Sequence, residues 1–415
     1  MKLPVLLSLC GSLVAQIPHG DAILSNFNNE TPMEGLALVK RNPATITPLT
    51  GLGATSRANA DVNAIQLDPC DNRVWIGGIN ASAGRIDTFT VTGTTVTSLT
   101  AVGNTNVGAS VSGIAFDVNG NIVCTSGTIT TTGGLFRVNR KTNAITRLLG
   151  GTSWSGQAGT CNCVSSDDAG NLYFAVTSSG TPGTVYQLAP GINGDYSGAP
   201  FTVGTVSPPS SSNVVSSLAF APANGLRPAR VWWTTFGSAG TAVGYFTGGV
   251  ATPAGNLGGD TALNWLDYSP LTDDFWGVTS GNDPDTVFGI NHAGASTQIT
   301  QLPTSGVNGS PSAIDVNDKP FTSLTILPQY LAASVFDFEA CTTCPSGNIG
   351  GILIVSPAVI LLTTGTANAS GRVSVKFPNV AVARGTPGAI TLQAACFNPT
   401  SGQITLGSLV PWPRN

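Results

Sequence analysis

A hydrophobic residue recurs along the first three quarters of the chain at nearly constant spacing. It is the central apolar residue of a short predicted strand in six segments, at intervals of 49, 50, 54, 48 and 48 residues: Ile65, Ile114, Val164, Leu218, Leu266 and Ile314. In the first five copies, three further apolar runs of period two follow it, separated by turns rich in Gly, Asn and Asp. This pattern predicts a four-stranded antiparallel meander in each copy, with strands that we name A to D.

A repeat of about 40–50 residues with four strands per copy is typical of a β-propeller blade. The sixth copy contains only strand A, at Ser312–Val316, and its missing strands are predicted at the N-terminus. There, Gly35–Gly51 aligns without a gap to Gly134–Gly150, with eight identities in seventeen positions. We therefore predict an all-β fold: a six-bladed β-propeller over residues 16–331, closed by N-terminal strands from about Asp21–Gly51 in the arrangement known as velcro.

The repeat ends after Leu331, and residues 332–415 follow a different pattern. Their longest apolar run is interrupted by Ser356 and Pro357 and is shorter than the ~20 residues that a membrane-spanning helix needs. Many β-branched residues and Gly/Pro turns predict a small C-terminal β-sandwich instead. The run Ile349–Leu409 resembles the C-terminal β modules of secreted planctomycete-type bacterial proteins, in four short motifs: VSP at 355–357, NASGR at 368–372, FPNV at 377–380 and LQAACF at 392–397.

The first 15 residues have the pattern of a secretory signal peptide: one lysine, an apolar stretch and a small residue at Ala15. We predict cleavage near Ala15 and a secreted, extracellular or cell-surface protein with no transmembrane segment after cleavage. Seven cysteines remain, an odd number, and their pairing cannot be deduced from the sequence. Cys341 and Cys344 are expected to form a local disulfide or a link to Cys396. Cys124 could meet one of two cysteines on the next strand A, Cys161 or Cys163.

Charge excludes one class of partner. Charged residues make up only 9% of the chain, and the 17 Lys and Arg face 21 Asp and Glu without a cluster of either sign. Nucleic-acid binding needs a basic patch, so no nucleic-acid partner is predicted.

The sequence favours a protein without catalytic residues. It has two histidines, His19 and His292, and neither lies in a motif of a Ser/His/Asp or Cys/His hydrolase. Paired aspartates occur at 167–168 and 273–274, in turns where Asp is expected to accept local backbone hydrogen bonds.

Residues 21–331 resemble secreted NHL-type and gluconolactonase-like six-bladed propellers in architecture. The first group implies partner binding on a propeller face, and the second implies a divalent cation held in the central channel by Asn, Asp and Glu. The candidates for such ligands are Asn63, Asn162, Asn264, Asp267 and Asp315, the two aspartates being weak metal candidates. No strand A carries a glutamate, so the family's ligand set cannot be carried over completely. We predict no cofactor, with a channel cation as the alternative.

Two residues before each strand A anchor stands an Asn or a Ser, in strict alternation. We call these six residues the collar: Asn63, Ser112, Asn162, Ser216, Asn264 and Ser312. Because strand A is the innermost strand of a blade, the collar should lie near one mouth of the channel. It could bind a small polyol, saccharide or peptide loop through neutral hydrogen bonds, or only ordered water.

Two sets of aromatic residues are interpreted differently. The rings at matching positions of strand B are predicted to pack between blades: Trp75, Tyr173, Trp232 and Trp276. Trp154 lies in a Gly/Ser-rich connection, where it could stack on a ligand or cap the end of a blade.

These observations lead to one functional hypothesis and one alternative. The first is a secreted or cell-surface binding or scaffold propeller that takes a neutral glycan, polyol or protein partner at the channel mouth. The alternative is a metal-dependent lactonase or hydrolase of the gluconolactonase-like type. Under the first hypothesis, Asn162→Ala and Trp154→Ala should weaken ligand binding and leave stability nearly unchanged.

Overall fold

The computed structural model describes residues 17, 20–26, 36–51, 60–68, 73–80, 83–105, 109–140, 142–167, 169–178, 181–191, 194–207, 214–223, 227–236, 241–256, 262–269, 272–280, 286–301, 311–317, 336–341, 349–355, 359–366, 372–377, 390–397 and 404–412. From residue 336 onward it describes the backbone alone. The predicted signal peptide and the predicted domain boundary at 331 lie outside these residues. All regular structure in the described residues is β-strand.

The described residues of the repeat region form 24 strands. The first twelve are β1 (Ala22–Asn26), β2 (Leu36–Arg41), β3 (Ala44–Pro48), β4 (Ala60–Leu67), β5 (Val74–Asn80), β6 (Ala83–Thr92), β7 (Thr95–Asn104), β8 (Val111–Phe116), β9 (Ile122–Ser126), β10 (Gly134–Val138), β11 (Ile145–Leu149) and β12 (Thr160–Ser166). The next twelve are β13 (Leu172–Thr177), β14 (Gly183–Leu188), β15 (Phe201–Val206), β16 (Val214–Ala221), β17 (Arg230–Phe236), β18 (Ala242–Thr247), β19 (Val250–Asn256), β20 (Ala262–Ser269), β21 (Asp274–Ser280), β22 (Thr286–Ile290), β23 (Ser296–Gln301) and β24 (Pro311–Val316).

These strands form six antiparallel four-stranded sheets. Blades 1 to 5 are β4–β7, β8–β11, β12–β15, β16–β19 and β20–β23, and blade 6 has the order β24, β1, β2, β3. The first strand of each sheet contacts the first strand of the next, and β24 contacts β4. The predicted six-bladed β-propeller is therefore confirmed.

Blade 6 combines strands from two distant parts of the sequence. Its innermost strand, β24, pairs antiparallel with β1, and the anchor Ile314 lies opposite Leu24. Strands β1, β2 and β3 continue the sheet outward as a meander. The three N-terminal strands thus occupy the positions of strands B, C and D.

The core lies between the blades. The predicted packing role of the strand B aromatics is confirmed, because Trp75, Trp232 and Trp276 are at most 1% exposed and Tyr173 is 8% exposed. Neighbouring sheets share these contacts: Trp232, for example, lies 4.6 Å from the ring of Phe275 in the next blade. Removing one such ring would cost about 3–5 kcal/mol of stability.

The turns between strands A and B all lie at one end of the blades, so they distinguish the two faces of the ring. In blade 2, Oδ1 of Asp117 accepts the backbone N–H groups of Asn119 and Asn121, each at 2.8 Å. Gly120 has a φ of 72°, a conformation that glycine adopts without steric cost. We call the end of the ring that carries the A–B and C–D turns the exit face. The end where each strand A begins is the entry face.

The C-terminal strands form a separate compact unit. They are β25 (Phe336–Cys341), β26 (Ile349–Val355), β27 (Val359–Thr366), β28 (Arg372–Phe377), β29 (Ile390–Phe397) and β30 (Ile404–Trp412). Strands β25 and β28 pair with each other, and the other four form a sheet in the order β27, β26, β29, β30. None of the described residues belongs to a helix that could cross a membrane.

Candidate functional site

Each collar residue lies on a β-bulge of the innermost strand. In blade 1, Val62 pairs with Gly78 and Ala64 pairs with Gly77, so Asn63 has no partner of its own in the ladder. The same register shift occurs at each of the other five collar residues. A bulge inserts one extra residue and redirects its side chain, which makes it a common feature near functional sites.

The serine members of the collar connect neighbouring blades. Oγ of Ser112 donates to the carbonyl of Cys161 at 3.2 Å, and Oγ of Ser216 donates to the carbonyl of Leu263 at 2.8 Å. In the same way, Ser312 donates to Val62 at 2.5 Å. Each acceptor is the residue just before the asparagine of the next blade. The Asn/Ser alternation therefore follows a hydrogen-bond rule: a serine in one blade holds the bulge that carries the asparagine in the next.

The asparagine members make different contacts. Nδ2 of Asn63 donates to Oγ of Ser110 in blade 2, and Nδ2 of Asn162 donates to Oγ1 of Thr177 within blade 3, at 2.5 Å in the second case. Asn264 lies half-buried at the matching position of β20. Five collar residues are half-buried and Ser312 is 9% exposed. The collar therefore combines contacts between blades with partial access to solvent.

A pocket of about 510 Å³ opens on the entry face beside Asn162. Segments of blades 2, 3 and 4 line it: Thr128, Thr130, Ala158, Gly159, Thr160, Asn162, Thr177, Ser178 and Val214. Four threonines, one serine and one asparagine supply the polar groups, and none of these described lining residues is charged. We call this the Asn162 pocket.

Trp154 caps the end of blade 3. Its ring centroid lies 5.1 Å from that of Tyr186 and 6.1 Å from that of Phe174, in edge-to-face and tilted arrangements. Its Nε1 donates to the carbonyl of Gln157 at 2.8 Å. The indole is not among the residues that line the Asn162 pocket. This geometry favours the capping role. Because the ring packs on Phe174 and Tyr186, we expect Trp154→Ala to lower the stability of the ring, which differs from the expectation from the sequence.

The carboxylates of the two weak metal candidates, Asp267 and Asp315, accept hydrogen bonds from neighbouring blades. The Asp315 carboxylate accepts Nε2 of Gln66 at 3.0 Å and the backbone N–H of Leu67, both in blade 1. Oδ2 of Asp267 accepts the backbone N–H of Val316 in blade 6 at 3.0 Å. These hydrogen bonds make both aspartates links between innermost strands.

Asp267 is well separated along its strand from the collar asparagine of the same blade, Asn264. Asp267 follows Asn264 by three positions on the same strand, which corresponds to about 10 Å along an extended backbone. Within the residues that the structure describes, no group of three or more His, Cys, Asp or Glu side chains could hold a metal ion.

Charged residues meet on the exit face, between blades 4 and 5. Oδ1 of Asp273 accepts hydrogen bonds from Tyr268 at 2.7 Å, from Nε2 of His292 at 3.1 Å and from Arg227 of blade 4. Burial alone would raise the pKa of Asp273, but these three hydrogen bonds and the Arg227 charge outweigh it and lower the pKa to about 2. Burial lowers the pKa of His292, and the bond to Asp273 only partly opposes this.

The next residue, Asp274, forms an ion pair with blade 6, on the other side of blade 5. Its carboxylate forms a bidentate pair with Arg41 of blade 6, at 3.1 and 2.6 Å. Asp273 has a φ of 51°, and the two successive carboxylates bind arginines from different blades. For Asp273 and Asp274, the expectation of local backbone hydrogen bonds stays a prediction. It is confirmed for Asp167, which accepts the N–H groups of Ala169 and Asn171.

A third exit-face pair joins blades 1 and 2. Asp68, whose side chain is fully buried, lies 2.5 Å from Nη2 of Arg140. It also accepts Nε1 of Trp75 at 3.3 Å. Sequence analysis did not find these pairs, because each joins residues that are far apart in the chain and the turn residues carry no motif.

The three cysteines of blades 2 and 3 are free and buried. They belong to different hydrophobic clusters: Cys124 packs between blades 1 and 2, Cys161 between blades 2 and 3, and Cys163 between blades 3 and 4. The suggested pairing of Cys124 with either of the others is therefore not formed. Burial raises the pKa of the Cys124 and Cys163 thiols to about 12, so both stay protonated and unreactive. Cys341, Cys344 and Cys396 have no described side chains.

Comparison with known proteins shows likeness in fold. No protein-family model matches the chain, and no curated protein matches its sequence. Among solved structures, a chain of a nidogen/laminin complex has 12% identity and a TM-score of 0.50, over 71% of this chain and 97% of that chain. TolB from Acinetobacter baumannii has 14% identity and a TM-score of 0.47, over 71% and 66%. A "putative gluconolactonase" has 14% identity and a TM-score of 0.44, over 61% and 80%.

Proposed function

We propose that this protein is a secreted or cell-surface binding propeller, which takes an uncharged glycan, a polyol or a protein partner on its entry face. One observation carries the proposal: the Asn162 pocket is lined by hydroxyl and amide groups and by no charged residue. Such a surface recognises a ligand through neutral hydrogen bonds. No catalytic residue is required for this role.

The lactonase alternative has weaker support. A metal-dependent lactonase needs several oxygen ligands around one cation. Asp267 and Asp315 instead bond to backbone N–H groups of the next blade, and the collar residues of the same two strands, Asn264 and Ser312, lie three positions nearer the entry face. The carboxylates would have to release these bonds before they could hold a metal.

A ligand screen separates the two functions. The purified mature chain would be tested by thermal shift against neutral mono- and disaccharides, polyols, and their phosphorylated or carboxylated counterparts. We expect uncharged ligands to raise the melting temperature and charged counterparts to have little effect. In parallel, hydrolysis of an aldonolactone would be measured with Ca²⁺ or Mn²⁺ added. Cation-dependent hydrolysis that Asp315→Asn abolishes would overturn the binding proposal in favour of the lactonase.

The proposal includes export and a separate C-terminal module. Residues 1–15 have the signal-peptide pattern, and the strands from 336 onward form their own compact unit, which supports a β-sandwich that folds independently. Mass spectrometry of the exported protein should find an N-terminus at about Gln16. Limited proteolysis near Pro328–Ser334 should release two stable fragments, and a single fragment spanning this region would contradict the boundary.

The proposal also includes the velcro closure of the ring. The pairing of β1 with β24 and the bond between Ser25 and Ser312 at 3.3 Å support it. In this arrangement the N-terminal strands cover the open edge that β24 would otherwise present.

A further inference from the structure

The rim of the Asn162 pocket is built by a short pairing between blades. Thr128, in the B–C loop of blade 2, forms an antiparallel bridge with Thr160 at the start of β12. Two backbone bonds flank this bridge: Ile129 donates to Gly159 at 2.9 Å, and Cys161 donates to Gly127 at 3.0 Å. Directly opposed residues of an antiparallel pair place their side chains on the same face. The hydroxyls of Thr128 and Thr160 therefore lie side by side on a rigid backbone, and both residues are exposed.

The amide of Asn162 is held in one orientation. Its Nδ2 donates to Oγ1 of Thr177 at 2.5 Å, and Thr177 itself is 4% exposed. The bulge that carries Asn162 is fixed in turn by Ser112, which donates to the preceding carbonyl. Among the described residues, no donor bonds to Oδ1 of Asn162. This oxygen can therefore accept a hydrogen bond from a ligand hydroxyl at little cost in reorganisation.

The composition of the pocket selects the class of ligand. Thr130 and Ser178 add two further hydroxyls to the lining, and no Lys, Arg, Asp or Glu is present among the described lining residues. A phosphate or carboxylate would lose its hydration without gaining a cationic partner, which is unfavourable. A polyhydroxylated ring can exchange its hydrogen bonds with water for bonds to these groups. The volume lies within the ~300–1,000 Å³ range of small-molecule sites.

From these observations we infer that the Asn162 pocket is a binding site for one uncharged, polyhydroxylated ring, such as a hexose unit or a cyclitol. The inference rests on the proposed binding function and assigns it to one place on the ring. Thr128, Thr160 and Asn162 are its specificity-determining residues. Trp154 takes no part, because its ring packs on Phe174 and Tyr186.

The test compares variants that lose a single hydroxyl without a change in shape. Binding of glucose, myo-inositol and glucose 6-phosphate would be measured by titration calorimetry on the mature chain. Thr128→Val and Thr160→Val should each weaken binding of the neutral probes roughly fivefold, as expected for the loss of one hydrogen bond of about 1 kcal/mol. Thr297→Val, on exposed strand β23, is the matched control and should bind like the wild type.

Each possible outcome of the binding test leads to a different conclusion. Neutral binding that both pocket variants leave unchanged would overturn the pocket assignment while the binding function stands. Tighter binding of glucose 6-phosphate than of glucose would overturn the inferred ligand class. Failure of the wild type to bind any member of the wider ligand panel would reject the pocket together with the glycan and polyol forms of the proposed function. Thermal melts of all variants would verify that the changes act on binding and not on folding.

Discussion

The two faces of the ring are joined by different chemistry. On the entry face, neighbouring blades are linked by neutral hydrogen bonds, such as Ser216 to the carbonyl of Leu263 at 2.8 Å. On the exit face they are linked by ion pairs, such as Arg41 to Asp274 at 2.6 Å. Only 9% of the residues in the chain are charged, and several of those that the structure describes form contacts between exit-face turns.

The difference follows from how each face is built. Exit-face ion pairs join charged residues in or next to the turns, and the exposure of their side chains ranges from the fully buried Asp68 to the one-third exposed Arg41. Entry-face links lie on the innermost strands, where a serine hydroxyl can satisfy a bulged backbone without burying a charge. Ion pairs thus hold neighbouring blades together on the exit face, whereas neutral hydrogen bonds do so on the entry face, where we propose that an uncharged ligand binds.

The largest effect is expected when blade 6 loses both kinds of link at once. Deleting the mature N-terminus through Gly51 removes β1 to β3, the Arg41–Asp274 pair and the Ser25–Ser312 bond. We expect the ring to lose cooperative unfolding, since each blade buries its faces only against its neighbours. Differential scanning calorimetry would measure this. A truncated protein that melts cooperatively at the wild-type temperature would disprove velcro closure.

The next effect compares one link from each face. Asp68→Ala removes the carboxylate that faces the nearly buried guanidinium of Arg140, which should cost about 3 kcal/mol or more of unfolding free energy. Ser216→Ala removes one neutral donor and should cost about 1 kcal/mol. Urea denaturation of both variants would test the order. Equal losses would show that charge does not distinguish the two faces.

Acid should weaken the exit face first. The pKa of His292 is lowered below 6.5 by burial, so the folded state resists a proton that the unfolded state takes up. Its contribution to stability is complete above pH 6.5 and is lost as pH falls through the folded pKa. The pKa of Asp273 is lowered from 3.8 to about 2, so its contribution is complete above about pH 4 and is lost toward pH 2.

The measurement is the unfolding free energy from pH 7.5 to pH 2.5. His292→Phe should flatten the part of the curve that begins at pH 6.5 and continues downward through the lowered pKa of His292, and Asp273→Asn should flatten the part below pH 4. Ser216→Ala should shift the whole curve and leave its shape unchanged. A His292→Phe curve with the same slope as the wild type would contradict the role of this histidine.

The sequence was sufficient to predict the blades, because the repeated anchors and the alternating apolar runs reflect burial between sheets. It also singled out the six collar residues, but it did not predict the β-bulge on which each of them lies. A signal for the bulges is present: in Val62-Asn-Ala-Ile65 and Cys161-Asn-Cys-Val164, two consecutive buried residues follow the polar one and break the period of two.

Other features could not be predicted from local pattern. Arg41 and Asp274 are 233 positions apart, so their pairing depends on ring closure. The sequence left open whether Trp154 stacks on a ligand or caps a blade, because its neighbours are Gly and Ser. Its packing partners, Phe174 and Tyr186, belong to strands that follow in the chain. For the same reason Trp154→Ala is now expected to destabilise the ring by about 2 kcal/mol, less than a fully buried tryptophan would.

The smallest expected effect is the effect of salt on the links between blades. It is also the most direct test of the difference between the two faces. Raising the ionic strength from about 0.1 M to about 1 M shortens the screening length from about 10 Å to about 3 Å. Arg41 is one-third exposed, at 33% of its side-chain area, so its attraction to Asp274 should weaken. The cost of Arg41→Gln, measured by urea denaturation, should fall by a few tenths of a kcal/mol at high salt. The cost of Ser216→Ala and the affinity of the Asn162 pocket for a neutral ligand should stay the same, because neither involves a charge. A salt-dependent entry face would mean that ions contribute to the collar and that the division between the two faces is not one of charge.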